Sequence, residues 1–270
     1  INDSENAYQN LNKGANLSKN RLLREEVYFQ IAEISFKNND FDKALDSYQK
    51  VLSNTISITR IQESNLKIVQ IYRLRGELEI SANIIQDLLV DEDFNSIKAD
   101  LDLELIKIEF ERGKIDFAIQ NYDRIGKDYP NTKTAIEAYF LLSEIYLSSS
   151  YLDFEKVQFF MNESMRQNTN SSFKQIINKR RNDIDKLIQL NLELKQLKNS
   201  ERVENLFLTG QILAFNLAKY DESKTYFEEI IFKNQSRDYY LQSLFALYTL
   251  NLKINNDEYL NYRDRIIADY

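Results

Sequence analysis

Asp91 to Asn95 is the stretch of this sequence that comes closest to a metal-binding loop. Oxygen-bearing side chains stand at the first, third and fifth places, namely Asp91, Asp93 and Asn95. A calcium loop of this kind needs glycine at its sixth place and a bidentate glutamate at its twelfth, where this sequence has Ser96 and Asp102. A capped loop between helices is therefore favoured over a calcium site.

Other catalytic chemistry has little support in the residue types. The sequence contains no histidine and no cysteine, which removes the commonest general base, the commonest metal ligand and every thiolate. Adjacent acids such as Glu25-Glu26 and Glu228-Glu229 point to different sides of a helix, so they cannot act as a catalytic pair. Five glycines leave little material for a phosphate-binding loop. We therefore expect no catalytic residues, no cofactor and no metal.

The scarcity of turn-forming residues points to a helical chain. The 270 residues include only 5 Gly and 1 Pro, while 43% are hydrophobic, which is enough for a core. The net charge of −7 argues against nucleic acid as a partner, so the 17 Tyr and 16 Phe are interpreted as packing residues. No apolar run reaches the roughly 18 residues of a membrane span. Because the chain begins at Ile1 rather than Met, we expect a processed form or a fragment, and a signal peptide or lipid anchor outside this sequence stays possible.

The stretch from Tyr28 to Leu52 predicts two short helices joined by a tight turn. Its first half carries apolar residues at the three- and four-residue spacing of one helical face. Residues 38–40 (Asn-Asn-Asp) interrupt that pattern with side chains that favour turns and helix caps. The second half carries another stripe that includes Ala44, whose small side chain allows close helix contact. We predict helix A at about 21–37 and helix B at about 41–53.

The same pattern recurs along the chain. The interval from Ala44 to Ser81 is 37 residues, and so is the interval from Ser81 to Ala118. Gly76 and Gly113 fall at the turns of the second and third units. A fixed period in the thirties, with two helices in each period, indicates a helical solenoid.

This pattern resembles the tetratricopeptide repeat (TPR), whose units are about 34 residues long. The matching residues are Tyr28, Ile31, Ala32, Ala44, Tyr48 and Val51 in the first unit, Gly113, Ala118, Tyr122 and Pro130 in the third, and Gly210 in a later one. The chain departs from the family in having no Trp and a longer period. The resemblance implies an all-α fold, a right-handed TPR-like α-α superhelix of helix-turn-helix repeats without strands. It also implies a non-catalytic protein-protein interaction scaffold.

Four regions follow from the repeat pattern. Residues 1–20 are a polar leader or the end of a preceding repeat, and 21–167 hold about four TPR-like repeats. Residues 168–198 form a long connecting helix after a polar break, and 199–270 hold about two more repeats that look truncated. The basic triplet 179–181 in the connecting helix is interpreted as a solvated face or the rim of a helix contact.

Residues 122–146, and more weakly 259–270, resemble bacterial envelope TPR proteins such as outer-membrane assembly lipoproteins and the Tol-Pal-associated periplasmic coordinator. The resemblance implies an alternative role as a lipid-anchored, periplasmic subunit in envelope assembly, with the cytoplasm as the second location. A further alternative is the scaffold part of a larger enzyme.

The TPR resemblance also implies where a partner binds. In that family, helix A positions 2, 5, 9, 12 and 13 line a concave groove. Positions 5, 9 and 12, or 5 and 9 in later units, are Phe29, Glu33, Phe36, Leu66, Gln70, Arg73, Leu103, Lys107, Phe110, Phe140, Glu144, Phe207 and Gln211. Such a groove suits a peptide or protein partner with apolar anchors, although each Phe could instead pack against a neighbouring helix. Since Glu33, Asp100 and Glu104 would repel acidic tails, we expect apolar segments with some positive charge.

Overall fold

The computed structural model describes residues 2–148, 150, 152–169, 173–198, 202–233 and 236–269. These ranges contain fourteen α-helices and no β-strand, which confirms the all-α prediction. The helices are α1 (Asn2–Leu17), α2 (Arg21–Lys37), α3 (Phe41–Asn54), α4 (Ile58–Leu74), α5 (Leu78–Leu89), α6 (Lys98–Glu111), α7 (Ile115–Asp128), α8 (Lys133–Tyr146), α9 (Phe154–Arg166), α10 (Phe173–Leu194), α11 (Arg202–Gln211), α12 (Tyr220–Lys233), α13 (Arg237–Lys253) and α14 (Tyr259–Asp269). A 3-10 turn over Glu92–Ile97 precedes α6, and a π-helical segment over Ile212–Asn216 continues α11.

Twelve of these helices form six consecutive pairs, each a helix A packed against the following helix B. The pairs are α2/α3, α4/α5, α6/α7, α8/α9, α11/α12 and α13/α14. Helix α1 packs on α2, and α10 packs against α8, α9 and α11. The predicted first pair agrees with α2 and α3 to within one residue. No described helix is long and apolar enough to cross a lipid bilayer.

The turn inside five of the pairs is fixed by one residue with a left-handed backbone. These residues are Asn39 (φ 58°), Gly76 (φ 76°), Gly113 (φ 82°), Ala218 (φ 55°) and Asn255 (φ 55°). In the first turn, the Asp40 N–H donates to the Ser35 carbonyl at 2.9 Å, the six-to-one bond of a Schellman end. The intervals from Asn39 to Gly76, from Gly76 to Gly113 and from Ala218 to Asn255 are all 37 residues. In these repeats, helix A therefore ends at positions that are 37 residues apart.

Helix A and helix B approach closely because one of the two contributes a small side chain. Ala44, Ser81, Ala118 and Ser223 are each fully buried. The Ser81 hydroxyl donates to the Val69 carbonyl of helix A at 2.9 Å, which satisfies its buried oxygen. In the fifth pair helix A contributes a small residue as well, since a Cβ at Gly210 would stand 2.9 Å from the buried ring of Phe227.

The helices group into two compact units, residues 1–130 and residues 131–270. The first holds α1–α7 and the second holds α8–α14. The division falls at Pro130, and the polar break near 167 lies inside the second unit. That break is bonded to the start of α8, since Gln167 Oε1 accepts from the Asn131 N–H and Asn131 Oδ1 accepts from the Asn168 N–H, both at 2.7 Å. Residues 170–172 of the break lie outside the described residues, and the predicted right-handed superhelix stays a prediction.

The N-terminal segment forms helix α1 over Asn2–Leu17. Ala15 of α1 is buried against Tyr28, Ile31 and Val51 of the first pair. The predicted connecting helix is α10, within the second unit.

The contact at Ala44 predicts a stability effect. Ala44→Leu should lower the free energy of unfolding by about 1–3 kcal/mol, because a larger side chain overpacks the α2/α3 contact. Urea denaturation followed by circular dichroism measures it. Ala268→Leu, at an exposed alanine of α14, is the control and should change stability little. Equal stability of the Ala44 variant and the wild type would show that α2 and α3 do not meet there.

The left-handed turns predict opposite effects at two glycines. Gly76→Ala should destabilise by about 1–2 kcal/mol, since a side chain is strained at positive φ. Gly14→Ala should stabilise by up to about 1 kcal/mol, because Gly14 lies inside α1 and a Cβ there meets nothing within 4 Å. The midpoint of urea unfolding reports both changes, and two shifts of the same sign would contradict the turn geometry.

Candidate functional site

Phe29 and Phe36, two aromatic residues of the predicted groove, lie in the first helix pair. Each is covered on one ring face by a cation from the second pair. The Arg60 guanidinium lies 3.7 Å from the centroid of the Phe29 ring. The Lys67 ammonium lies 4.3 Å from the centroid of the Phe36 ring. Each contact is a cation–π interaction that occupies one face of the ring. Phe29 and Phe36 therefore hold α4 on α2, while Phe110 keeps 39% of its surface exposed.

The predicted groove residue Glu33 is engaged with helix B of its own pair. Its Oε1 accepts a hydrogen bond from the Tyr48 hydroxyl at 2.5 Å. Burial raises the pKa of Tyr48 far above its ordinary value, and the hydrogen bond to Glu33 and the charge of Glu33 raise it further. Tyr48 therefore stays a neutral donor, and Glu33 serves the α2/α3 contact.

Three further predicted groove residues converge on one buried carboxylate. Glu104 of α6 is 2% exposed. It accepts hydrogen bonds from Arg73 Nε at 2.9 Å, Lys107 Nζ at 2.8 Å and Gln70 Nε2 at 3.2 Å. Burial raises the pKa of Glu104, but the charges of Lys107 and Arg73 outweigh it and hold that pKa below its ordinary range. Because two cations balance its charge, Glu104 is not the repulsive group that the sequence suggested.

Leu66 and Leu103, the two leucines of the predicted groove, take part in the core packing of the first compact unit. Leu66 is half-buried against the core of the second pair, and Leu103 is 3% exposed. A partner cannot reach Leu103 without moving α6. The expectation that it lines an open groove is therefore corrected.

The predicted residues of α8 in the second unit are also engaged. The Phe140 ring packs edge-on against Phe173, with centroids 5.3 Å apart. Glu144 accepts two hydrogen bonds from Arg180 at 3.0 and 2.6 Å. Arg180 also donates to the carbonyls of Asn216 and Leu217 at 2.8 and 3.2 Å. Arg180 thus joins α8, α10 and the end of the π-helical segment, which agrees with the rim of a helix contact, the second of the two interpretations of the basic triplet.

The calcium-like stretch forms a capped turn. Asp91 Oδ1 accepts from the Asp93 N–H at 3.0 Å, and Phe94 is buried under the 3-10 turn. Across the described ranges of the chain, no group of three or more acidic residues is arranged to hold a metal ion.

Phe207 and Gln211, the last two predicted residues, line a cavity of about 600 Å³ in the second unit. One wall is formed by α11 with its π-helical continuation, and the other by α13, with Ile266 of α14 at the edge. The lining residues are Phe207, Gln211, Phe215, Asp238, Leu241, Gln242, Phe245, Ala246, Thr249 and Ile266. We call this cavity the α11/α13 groove.

The groove residues follow one face on each helix. Phe207, Gln211 and Phe215 are four residues apart on the first wall, and the second wall shows the three- and four-residue steps of one helical face. Phe207 is buried in the core, but Phe215 is 48% exposed and Phe245 is 62% exposed. Continuing the four-residue step beyond Gln211 would have found Phe215. The three- and four-residue steps on α13 would have found its lining face in the same way.

The helix pairs with their left-handed turns are similar to repeats of known proteins. The tetratricopeptide repeat model matches residues 25–54, which cover most of α2 and all of α3. Residues 25–54 are therefore similar to one tetratricopeptide repeat. The other TPR-like pairs continue this helix-turn-helix arrangement, and the fold is all-α. A TPR fold is in general a scaffold for protein interactions.

Two solved structures are similar to this chain, though distantly. One is the MamA protein, with 16% identity over 80% of this chain and 94% of that chain, and a TM-score of 0.35. The other is the C-terminal part of a TPR repeat-containing protein from Cytophaga hutchinsonii, with 15% identity over 97% of this chain and 95% of that chain, and a TM-score of 0.47. No curated protein matches the sequence.

The buried Glu104 predicts a pH dependence. Since its pKa is lowered in the folded protein, its contribution to stability is present above its unfolded pKa and is lost as pH falls through the folded pKa. Urea unfolding between about pH 6 and pH 3 should show a falling midpoint, and Glu104→Gln should flatten that fall. Glu79→Gln, at a largely exposed acid of α5, is the control. The same slope in wild type and Glu104→Gln would contradict this assignment.

Proposed function

We propose that this chain is a non-catalytic scaffold that binds a peptide or protein segment in the α11/α13 groove. The observation that carries the proposal is the exposure of Phe215 and Phe245 on opposite walls of one cavity. Exposed aromatic side chains inside a concave site are the usual anchors of protein recognition.

The size of the groove supports this proposal. Its volume of about 600 Å³ lies within the range of well-formed ligand sites and is suited to a few bulky side chains. The lining is mostly apolar, with polar side chains contributed by Gln211, Gln242 and Thr249. A mostly apolar lining with a few polar side chains is typical of binding clefts.

The first unit offers less to the same partner. Its predicted anchors Phe29 and Phe36 are covered by Arg60 and Lys67, and its polar groove residues are engaged around Glu104. These contacts favour a structural role for the helix A residues of the first compact unit. We therefore propose the groove between the fifth and sixth repeats, and not the face of the first three, as the binding site.

The absence of catalysis is part of the proposal. TPR proteins are typically non-catalytic scaffolds, and this sequence has neither histidine nor cysteine to serve as base or nucleophile. The envelope-assembly role and the place in a larger enzyme stay predictions.

The proposal predicts the effect of a double variant on peptide binding. An array of random synthetic hexapeptides should capture the wild type on sequences with bulky apolar residues. Phe215→Ala with Phe245→Ala should weaken that binding by about tenfold or more, because both anchors are removed. Phe232→Ala is the matched control, since Phe232 is 90% exposed on α12 and lies outside the groove.

Stability must be measured alongside binding. All three replaced phenylalanines are exposed, so thermal unfolding of the variants should stay close to that of the wild type. Wild-type binding by a folded double variant would overturn the proposed site. Equal losses in the double variant and in Phe232→Ala would do the same.

A further inference from the structure

The α11/α13 groove has one charged lining residue, Asp238. It lies in the first turn of α13, where the helix dipole favours a negative side chain. It is exposed, and among the described residues no Lys or Arg forms an ion pair with it. A carboxylate at the rim of an apolar cavity attracts a cationic group on whatever occupies that cavity.

Two carboxamides face the groove from its opposite walls, Gln211 on α11 and Gln242 on α13. Neither side chain hydrogen-bonds to another residue in the described part of the chain. A carboxamide both donates and accepts, so it can pair with a backbone peptide group. A bound helix satisfies its own backbone groups, whereas an extended segment needs such partners. The amides therefore favour an extended occupant.

The length of the groove limits the size of that occupant. Phe207 and Phe215 are eight residues apart, which corresponds to about 12 Å along a helix axis. An extended chain covers that length with about four residues. The site therefore holds a short segment.

The ends of the groove can be told apart. The Phe207 ring lies 5.5 Å from the ring of Tyr239, so Asp238 is near the Phe207 end. Phe245 is seven residues further along α13, about 10 Å away, and faces the Phe215 end. About three extended residues span the distance between Asp238 and Phe245.

We infer that the α11/α13 groove binds an extended peptide segment in which a basic residue precedes or follows a bulky apolar residue by about three positions. Asp238 binds the basic side chain, Gln211 and Gln242 bind the backbone, and Phe215 with Phe245 receives the apolar side chain. This inference rests on the proposed function and adds the charge and the conformation of the partner. The net charge of −7 also favours approach of a basic segment.

The test uses acetylated, amidated and fluorescein-labelled synthetic hexapeptides with the full chain. The first peptide has Lys at its first position and Phe at its fourth, with Ser and Gly elsewhere. The second has Glu in place of Lys, the third has Ser in place of Phe, and the fourth and fifth are the first two in reverse order. Fluorescence anisotropy is read at about 20 mM and about 500 mM salt.

In the orientation that the groove prefers, the Lys peptide should bind about threefold to tenfold more tightly than the Glu peptide at low salt, and the difference should shrink at high salt. Asp238→Lys should reverse that preference. Asp116→Lys should leave it unchanged, since Asp116 is also an exposed acid in the first turn of a helix, here α7. Gln211→Ala with Gln242→Ala should weaken the Lys and Glu peptides equally.

The outcomes separate the two proposals. If the Phe215 and Phe245 variant loses binding but Asp238→Lys leaves the Lys-to-Glu preference intact, the charge assignment is wrong and the proposed function stands. If neither variant changes binding, both are wrong. Unchanged binding in the Gln211 and Gln242 variant would overturn the extended conformation.

Discussion

The close contact between helix A and helix B is the interaction on which the rest of this structure depends. A single helix of this composition cannot bury its apolar face, so each helix requires a partner helix close to it in the sequence. Ala44, Ser81, Ala118 and Ser223 permit that approach from helix B, and Gly210 permits it from helix A, where even one methyl group would meet Phe227. The left-handed residue at the turn then sends helix B back along helix A.

Polar side chains make the next level of contact, between successive repeats. Arg60 reaches Glu25 and Glu26 of the preceding helix A, and Arg73 reaches Glu104 and Glu111 of the following one. Arg180 plays a similar part in the second unit, between Glu144 and the carbonyls after the π-helical segment. Because the Arg73–Glu104 pair is nearly buried, it needs both cations around that carboxylate to offset desolvation.

These contacts explain why the candidate site lies where it does. Side chains from adjacent helices cover the groove aromatics of the first pair, but they leave Phe215 and Phe245 of the fifth and sixth pairs exposed. The π-helical segment that carries Phe215 ends at carbonyls bonded to Arg180. A groove with free aromatic and amide side chains is suited to a partner, whereas one whose groups are already paired offers it little.

The sequence by itself determined the local structure of this protein. Helix periodicity, the 37-residue intervals and turn residues such as Asn39, Gly76 and Gly113 predicted the all-α repeat and placed α2 and α3 almost to the residue. Helix periodicity and turn residues depend on neighbours only a few residues away, so the sequence shows them directly. Ala218 carries the same turn without any signal in its residue type.

Only the tertiary structure decided which helix A residues are open to a partner. Phe29 and Phe215 are both phenylalanines on the helix A side of their repeats, but Arg60 covers the first and no described cation covers the second. That difference depends on a long side chain from another helix, 31 residues further along the chain. The reach of such a side chain is set by how the helices pack, which spacing along the sequence does not encode.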